Sequence, residues 1–150
     1  MVRKIIAKLG VLLMATFVMT SCDPDLGVAN TWDLYNNTDQ VLIYRFNDLK
    51  LRYIYPGERM NLYTTNIYPI RKQEKRDVNI FFEDNSHYTK FSIYKRGQTD
   101  TPVVVWQKED KNAGGKQFFN GNSWYLLDDI PSKTSEAGTW VFEITSEDLK

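Results

Sequence analysis

Near the end of the chain, Trp140, Phe142 and Ile144 alternate with Val141 and Glu143, and earlier Phe91 and Ile93 alternate with Ser92 and Tyr94. Side chains of an extended strand point to opposite faces at successive residues. Runs of this rhythm therefore bury one face and turn the other toward water, as in antiparallel sheets. Val78, Ile80 and Phe82 follow the same alternation against Asn79, Phe81 and Glu83. Short alternating runs separated by turn residues are the pattern of a sandwich or barrel. Two such sheets closing on each other's apolar faces make a sandwich.

The strands predicted on this basis are Thr31–Tyr35, Val41–Phe46, Leu51–Tyr55, Arg59–Thr64, Val78–Glu83, Tyr88–Lys95, Pro102–Lys108, Ser123–Asp128 and Thr139–Thr145. The cluster from Asn36 to Gln40 reads as a turn, since Asn, Thr and Asp bond to their own backbone. Pro56-Gly57 fits a type II turn, in which proline sets φ at one position and glycine takes the positive φ of the next. Asp84 to His87 predicts a hairpin turn. Ser146 to Leu149 reads as a capped helical turn after the last strand. Two connections are long, Asn66–Asp77 and Glu109–Lys116. Four Trp, nine Tyr and eight Phe, only Phe17 of them before residue 30, favour strands over helices.

The first residues carry a different message. Met1 to Lys8 holds Arg3, Lys4 and Lys8 with no acidic residue, and Leu9 to Met19 is apolar. A basic start, an apolar stretch of about 7–15 residues and small residues before a cut make a secretory signal. The apolar stretch falls short of the ~20 residues needed to cross a bilayer. Met19-Thr20-Ser21-Cys22 resembles the lipobox of bacterial lipoproteins. That resemblance implies cleavage between Ser21 and Cys22 and a diacylglycerol on the Cys22 thiol. Cys22 is the single cysteine of the chain, so no disulfide can form within it, and lipidation accounts for an otherwise unpaired exported thiol. Residues 1–21 then form the signal, 22–30 the lipidated tether, broken by Pro24 and Gly27, and 31–150 one domain.

Cleavage changes the charge balance. Of nineteen basic residues, Arg3, Lys4 and Lys8 leave with the signal, so sixteen face nineteen acidic ones. A mildly acidic domain lacks the electrostatic footprint for nucleic acid. At about 130 residues it suffices for a core without disulfides or metal.

The runs DLYNNTDQVLIY, IYPGERMNLY, NSWYLLDD and GTWVFEITSEDL resemble the small outer-membrane lipoproteins of Bacteroidota. The resemblance spans most of the mature chain. It implies an immunoglobulin-like sandwich at the outer membrane and no particular reaction. Asp23 and Asp25, just past the cysteine, resemble the surface-export signal of such lipoproteins. In other bacteria an aspartate at that place resembles a signal for retention at the inner membrane.

Catalytic patterns are sparse. The thiol is committed to the lipid, His87 is the only histidine and sits in a predicted turn, and no G-x-S-x-G occurs. One histidine and no free thiol cannot assemble a zinc site. Glu83-Asp84-Asn85 or Asp128-Asp129 could lend oxygens to calcium, but acidic residues at strand ends are usually solvated turns. Glu83 and Glu143 could pair as glycosidase carboxylates only at a separation the sequence does not state. Ala113-Gly114-Gly115-Lys116 departs from a phosphate loop, with Asp110 at the earlier glycine and Gln117 after the lysine. The run from Arg71 to Asp77 mixes signs, as a solvated loop does.

The aromatics carry the functional expectation. Tyr53 and Tyr55 share a strand face, Tyr63, Tyr68, Tyr94 and Tyr125 lie on or near other strands, and Phe118, Phe119 and Trp124 bracket Asn120-Gly121-Asn122. Exposed rings beside amides stack on sugars or hold peptides; the competing reading is that they fill the core. The candidate ligand residues are Phe119, Asn120, Asn122 and Trp124. The sequence thus predicts an all-β, immunoglobulin-like antiparallel sandwich of about seven to nine strands. It is expected to be a non-enzymatic binding or accessory domain for a glycan, peptide or envelope protein, without cofactor or metal and held to the membrane by its lipid. The alternatives are an assembly subunit joined by strand exchange and a small inhibitor presenting Glu109–Lys116.

Overall fold

The computed structural model describes residues 30–65, 77–127 and 138–150. The signal segment, Cys22, the tether up to residue 29, Tyr68, residues 66–76 of the long connection and the Asp128-Asp129 pair lie outside the described residues. Among the described residues eight strands form two four-stranded sheets. They are β1 (Thr31–Asn37), β2 (Leu42–Phe46), β3 (Arg52–Ile54), β4 (Arg59–Thr64), β5 (Lys90–Lys95), β6 (Val104–Gln107), β7 (Tyr125–Leu127) and β8 (Thr139–Thr145). One sheet has the order β4-β1-β8-β7 and the other β3-β2-β5-β6. No helix among the described residues is long and apolar enough to cross a membrane.

The first sheet is mixed, which corrects the antiparallel expectation. β1 and β8 run parallel, with Trp32 opposite Trp140, Leu34 opposite Phe142 and Asn36 opposite Ile144. Local alternation fixes which face a residue takes and is silent on the direction of a partner a hundred residues away. The other pairings are antiparallel.

The sheets face each other across a continuous core. Trp32 and Leu34 of β1 and Phe142 and Ile144 of β8 meet Leu42, Tyr44, Phe91, Ile93 and Trp106 from the second sheet. Trp106 stands edge-on to Phe142 with ring centroids 5.2 Å apart, bridging the layers. This two-layer packing is a β-sandwich.

Turn chemistry places the crossovers between layers. The fully buried Asn36 donates from Nδ2 to the carbonyls of Gln40 and Ile54, while its Oδ1 accepts from the Thr38 amide and hydroxyl. Gly57 takes φ +73, the value the Pro56-Gly57 turn requires, and its amide reaches the Asn36 carbonyl. Both turns carry the chain from one sheet to the other. After β8, Ser146–Leu149 forms a 3-10 turn closed by a capping box between Thr145 and Asp148.

Val78–Glu83 is not a strand, and Asp84–His87 is not a hairpin turn. Asn79–Asp84 forms a short helix, α1. Val78, Phe81, Phe82 and Asn85 recur at helical spacing; Val78 and Phe81 are buried and Phe82 and Asn85 half-buried, whereas Asn79, Glu83 and Asp84 are exposed. With both Phe81 and Phe82 apolar, the segment satisfies either period, and short apolar runs of this kind are ambiguous. Tertiary contacts decide it. Phe81 stacks beside Trp32, at 6.2 Å, and the Trp32 indole N–H donates to the Val78 carbonyl at 3.1 Å.

Candidate functional site

Because α1 begins beside Trp32, the second residue of β1, it packs toward the end of the sandwich where β1 starts. Opposite it runs the segment from Lys108 to Ser123, with 3-10 turns at Lys108–Asp110 and Gly121–Ser123. The two are pressed close: a Cβ on Gly121 would stand 2.5 Å from Val78 Cγ1. Between them lies a groove of about 510 Å³. Asn79, Phe82, Glu83 and Ser86 form one wall, Lys108, Lys111 and Asn112 the other, and Phe119, Asn120 and Gly121 the base.

Asn120 is the hinge pin of this groove. Its Nδ2 donates to the Lys111 carbonyl at 2.8 Å, and its Oδ1 accepts from the Asn122 amide at 2.9 Å. One side chain thus caps the 3-10 turn and holds the opposite lip. Gln117 donates its amide to Ser123 Oγ, closing the same loop from the other side. Across the rim, Lys108 Nζ donates to the Ser86 carbonyl at 3.2 Å. Farther along, Lys116 pairs with Asp148 at 2.7 Å, so the Glu109–Lys116 connection is fastened to the C-terminal turn.

The four residues singled out from sequence share this turn but not one role. Phe119 and Asn120 line the groove. Asn122 is exposed outside it. Trp124 belongs to the core: it is 5% exposed, and its indole N–H is spent on the Phe118 carbonyl at 2.8 Å. Phe119 is also 5% exposed, so Phe119 and Trp124 do not form an open stacking platform. Trp124 instead backs the groove wall, edge-on to Phe82 at 6.0 Å.

Asn79, Phe82, Lys108, Lys111 and Asn112 were not foreseen. Alternation puts Phe82 on a strand face and Lys108 at the end of the strand Pro102–Lys108, and Lys111 and Asn112 fall in the long Glu109–Lys116 connection. The i, i+3, i+4, i+7 recurrence from Val78 was the available signal.

The other candidates fall elsewhere. His87 is exposed, its ring packed against Tyr88 at 4.1 Å. Glu143 lies on the outward face of the first sheet and accepts from Asn37 Nδ2 at 2.6 Å, remote in the fold from Glu83 on α1. On that face the Arg59 guanidinium covers the Tyr35 ring at 5.8 Å, and Tyr125 is 40% exposed. The Tyr125 hydroxyl is held above its ordinary pKa by burial and then by the charge of Glu143. Tyr53 and Tyr55 are exposed, whereas Tyr94 is buried. Tyr63 donates to Asp84 at 2.7 Å, tying β4 to the end of α1.

In chemical terms the groove offers three carboxamides, two ammonium groups, one carboxylate, one hydroxyl and one half-buried ring, Phe82, over the covered Phe119. Amides both donate and accept, so this lining matches a hydroxyl-rich, largely neutral ligand. Among the described residues no three His, Cys, Asp or Glu side chains converge as metal ligands would. Comparison of the chain with protein-family models, curated proteins and solved structures finds no match in any of the three.

Proposed function

We propose that this chain is a lipoprotein anchored to the outer membrane through Cys22, and that its domain is a non-enzymatic binding module taking a saccharide in the groove beside α1. The observation that carries the reading is the lining: Asn79, Asn112 and Asn120 arrayed around the half-buried Phe82, with charges of both signs at the rim. Sugars present hydroxyls that pair with amides, and C–H faces that pack on rings. An acidic or strongly basic ligand would meet a mixed rim and gain little net attraction.

The anchor half of the proposal rests on the Met19-Thr20-Ser21-Cys22 run and the lone cysteine. From Cys22 to Asn30 the chain, fully extended, reaches at most about 30 Å. The groove lies toward the Asn30 end of the sandwich, so the tether would hold it near the membrane surface. An immunoglobulin-like reading of the sandwich rests on its two layers alone, since β1 and β2 lie in different sheets whereas the first two immunoglobulin strands share one.

Two measurements test the two halves. Cys22→Ala should move the protein out of the membrane fraction and abolish metabolic labelling with a fatty acid; retention with labelling would end the lipid assignment. A glycan array, followed by titration against Trp emission, should give a saturable hit that Asn112→Ala and Lys111→Ala weaken. A hit indifferent to both substitutions would place the site elsewhere. A blank array alongside a peptide or protein captured at the same groove would replace the saccharide.

A further inference from the structure

A second concavity lies on the other side of β2, between the inner faces of β2 and β3 and the opposing β4. It encloses about 270 Å³. Tyr44, Phe46, Leu62 and Tyr88 make its apolar floor and walls, and Lys50 and Arg52 stand at its mouth. Phe46 and Tyr88 are stacked at 4.5 Å with an interplanar angle of 19°. The pair is half-buried and forms one apolar wall beside the opening. Among the described residues that line it, the two charged ones are both positive.

Arg52 is placed rather than free. It sits opposite Tyr44 on the edge strand β3. The Tyr44 hydroxyl donates to Met60 Sδ at 2.8 Å, and the Arg52 guanidinium lies close enough to act on it. Burial raises the Tyr44 pKa, and the arginine only partly counters this, so the hydroxyl stays protonated and neutral beside the cation. Glu58, whose carboxylate accepts from the Tyr55 amide, also acts on the Tyr44 hydroxyl. Two cations at the mouth, Lys50 and Arg52, thus stand against one nearby carboxylate, and the planar guanidinium fork suits a second. The β2–β3 turn carrying Lys50 is pinned as well. Asn47, at φ +43, accepts through Oδ1 from the Thr89 and Lys90 amides and donates to the His87 carbonyl.

We infer that this cleft is a binding site for a small organic carboxylate with an apolar, ring-sized body, the body against Phe46, Tyr88 and Leu62 and the carboxylate between Lys50 and Arg52. The inference is independent of the saccharide groove, which shares none of these residues. An inward-pointing arginine on an edge strand also guards against strand addition, and that role alone would predict no ligand.

The test is calorimetric titration of the full chain in zwitterionic nanodiscs with hydrocinnamate and with its neutral amide, empty discs serving as the blank. Saturable binding of the acid is expected, with the amide weaker by on the order of tenfold, the scale of one charge-assisted pair. Arg52→Gln and Lys50→Gln should each cost a similar factor, and Leu62→Trp, which fills the cleft, should abolish binding. Both polar variants change exposed side chains, so circular dichroism should show them folded. Equal affinity for acid and amide, no saturable binding, or a folded Arg52→Gln variant that binds unchanged would overturn the assignment and leave Arg52 as an edge guard.

Discussion

Gly121 packs against Val78 so closely that a β-carbon on it would lie 2.5 Å from Val78 Cγ1 and 3.3 Å from Asn79 Oδ1. The glycine is there for space, because this contact is the seam between α1 and the Gly121–Ser123 turn, and both walls of the groove depend on it. Gly121→Ala should therefore destabilise the domain by about 1–3 kcal/mol, the usual cost of overpacking. Val78 is branched and buried and cannot swing aside. The check is urea denaturation of Gly121→Ala, Val78→Ala and the double variant. The smaller side chain at 78 should recover much of the loss, giving a coupling energy well above the ~0.5 kcal/mol scatter of independent sites. Strict additivity would mean that the seam is not where the cost arises.

That seam also marks where sequence reading stopped. Strands β1, β4, β5 and β8 were legible as short apolar runs between turns, and the Asn36 and Gly57 turns because their chemistry is local. The water-facing side expected of β5 is instead covered, with Ser92 and Tyr94 as buried as Phe91 and Ile93, and Val141 of β8 is buried too. Val78–Glu83 was not, since adjacent Phe81 and Phe82 make strand and helix patterns equally apolar. Distant contacts settle the matter, among them Trp32, forty-six positions earlier than Val78, which bonds to the Val78 carbonyl, and Trp124, which meets both Phe81 and Phe82. The candidate site divides in the same way. Asn120 announced itself as a turn former, but the wall facing it comes from α1. Trp124 looked like a platform because nothing local shows that its ring folds back beneath the turn to reach the Phe118 carbonyl.

Asn47 offers a cleaner case of backbone and side chain acting together. Its φ of +43 lies in the left-handed region, where asparagine is tolerated better than most residues. Its amide binds the start of β5 through the Thr89 and Lys90 amides. Asn47→Ala should lose both advantages and about 1–3 kcal/mol. Asn47→Gly should keep the backbone geometry and lose only the bonds, so it should fall between the two in denaturation midpoint. If glycine proved as costly as alanine, the backbone conformation would contribute nothing.

The Tyr63–Asp84 bond gives the domain an alkaline signature. Tyr63 donates to the Asp84 carboxylate at 2.7 Å, and that bond, with burial and the aspartate charge, pushes its pKa up to about 12 from 10.0. A folded-state pKa above the unfolded value means that the stabilisation is fully present below pH 10. It is lost as the pH rises through 12, where an ionised tyrosine would face a carboxylate. Tyrosine titration by NMR should show this late group in the native chain and not in Tyr63→Phe, and Asp84→Asn should return it toward 10.0. Between those pH values Tyr63→Phe should lose less stability than the parent. Tyr44 and Tyr125, also raised, keep some dependence in both.

Asn120 joins stability to binding and separates the two by chemistry. Its Oδ1 caps the Gly121–Ser123 turn through the Asn122 amide, while its Nδ2 alone reaches across to the Lys111 carbonyl. Asn120→Ala removes both and should cost about 1–2 kcal/mol, as losing a cap does. Asn120→Asp keeps the acceptor for the cap but sets a carboxylate against the Lys111 carbonyl. It should hold most of the fold's stability, while the lip bearing Lys111 and Asn112 loses its tie. Saccharide affinity should then fall by a similar factor in both variants, although only alanine lowers the denaturation midpoint appreciably. Were affinity to follow the midpoint instead, Asn120 would be a scaffold residue, and the lip would not need to be held for the groove to bind.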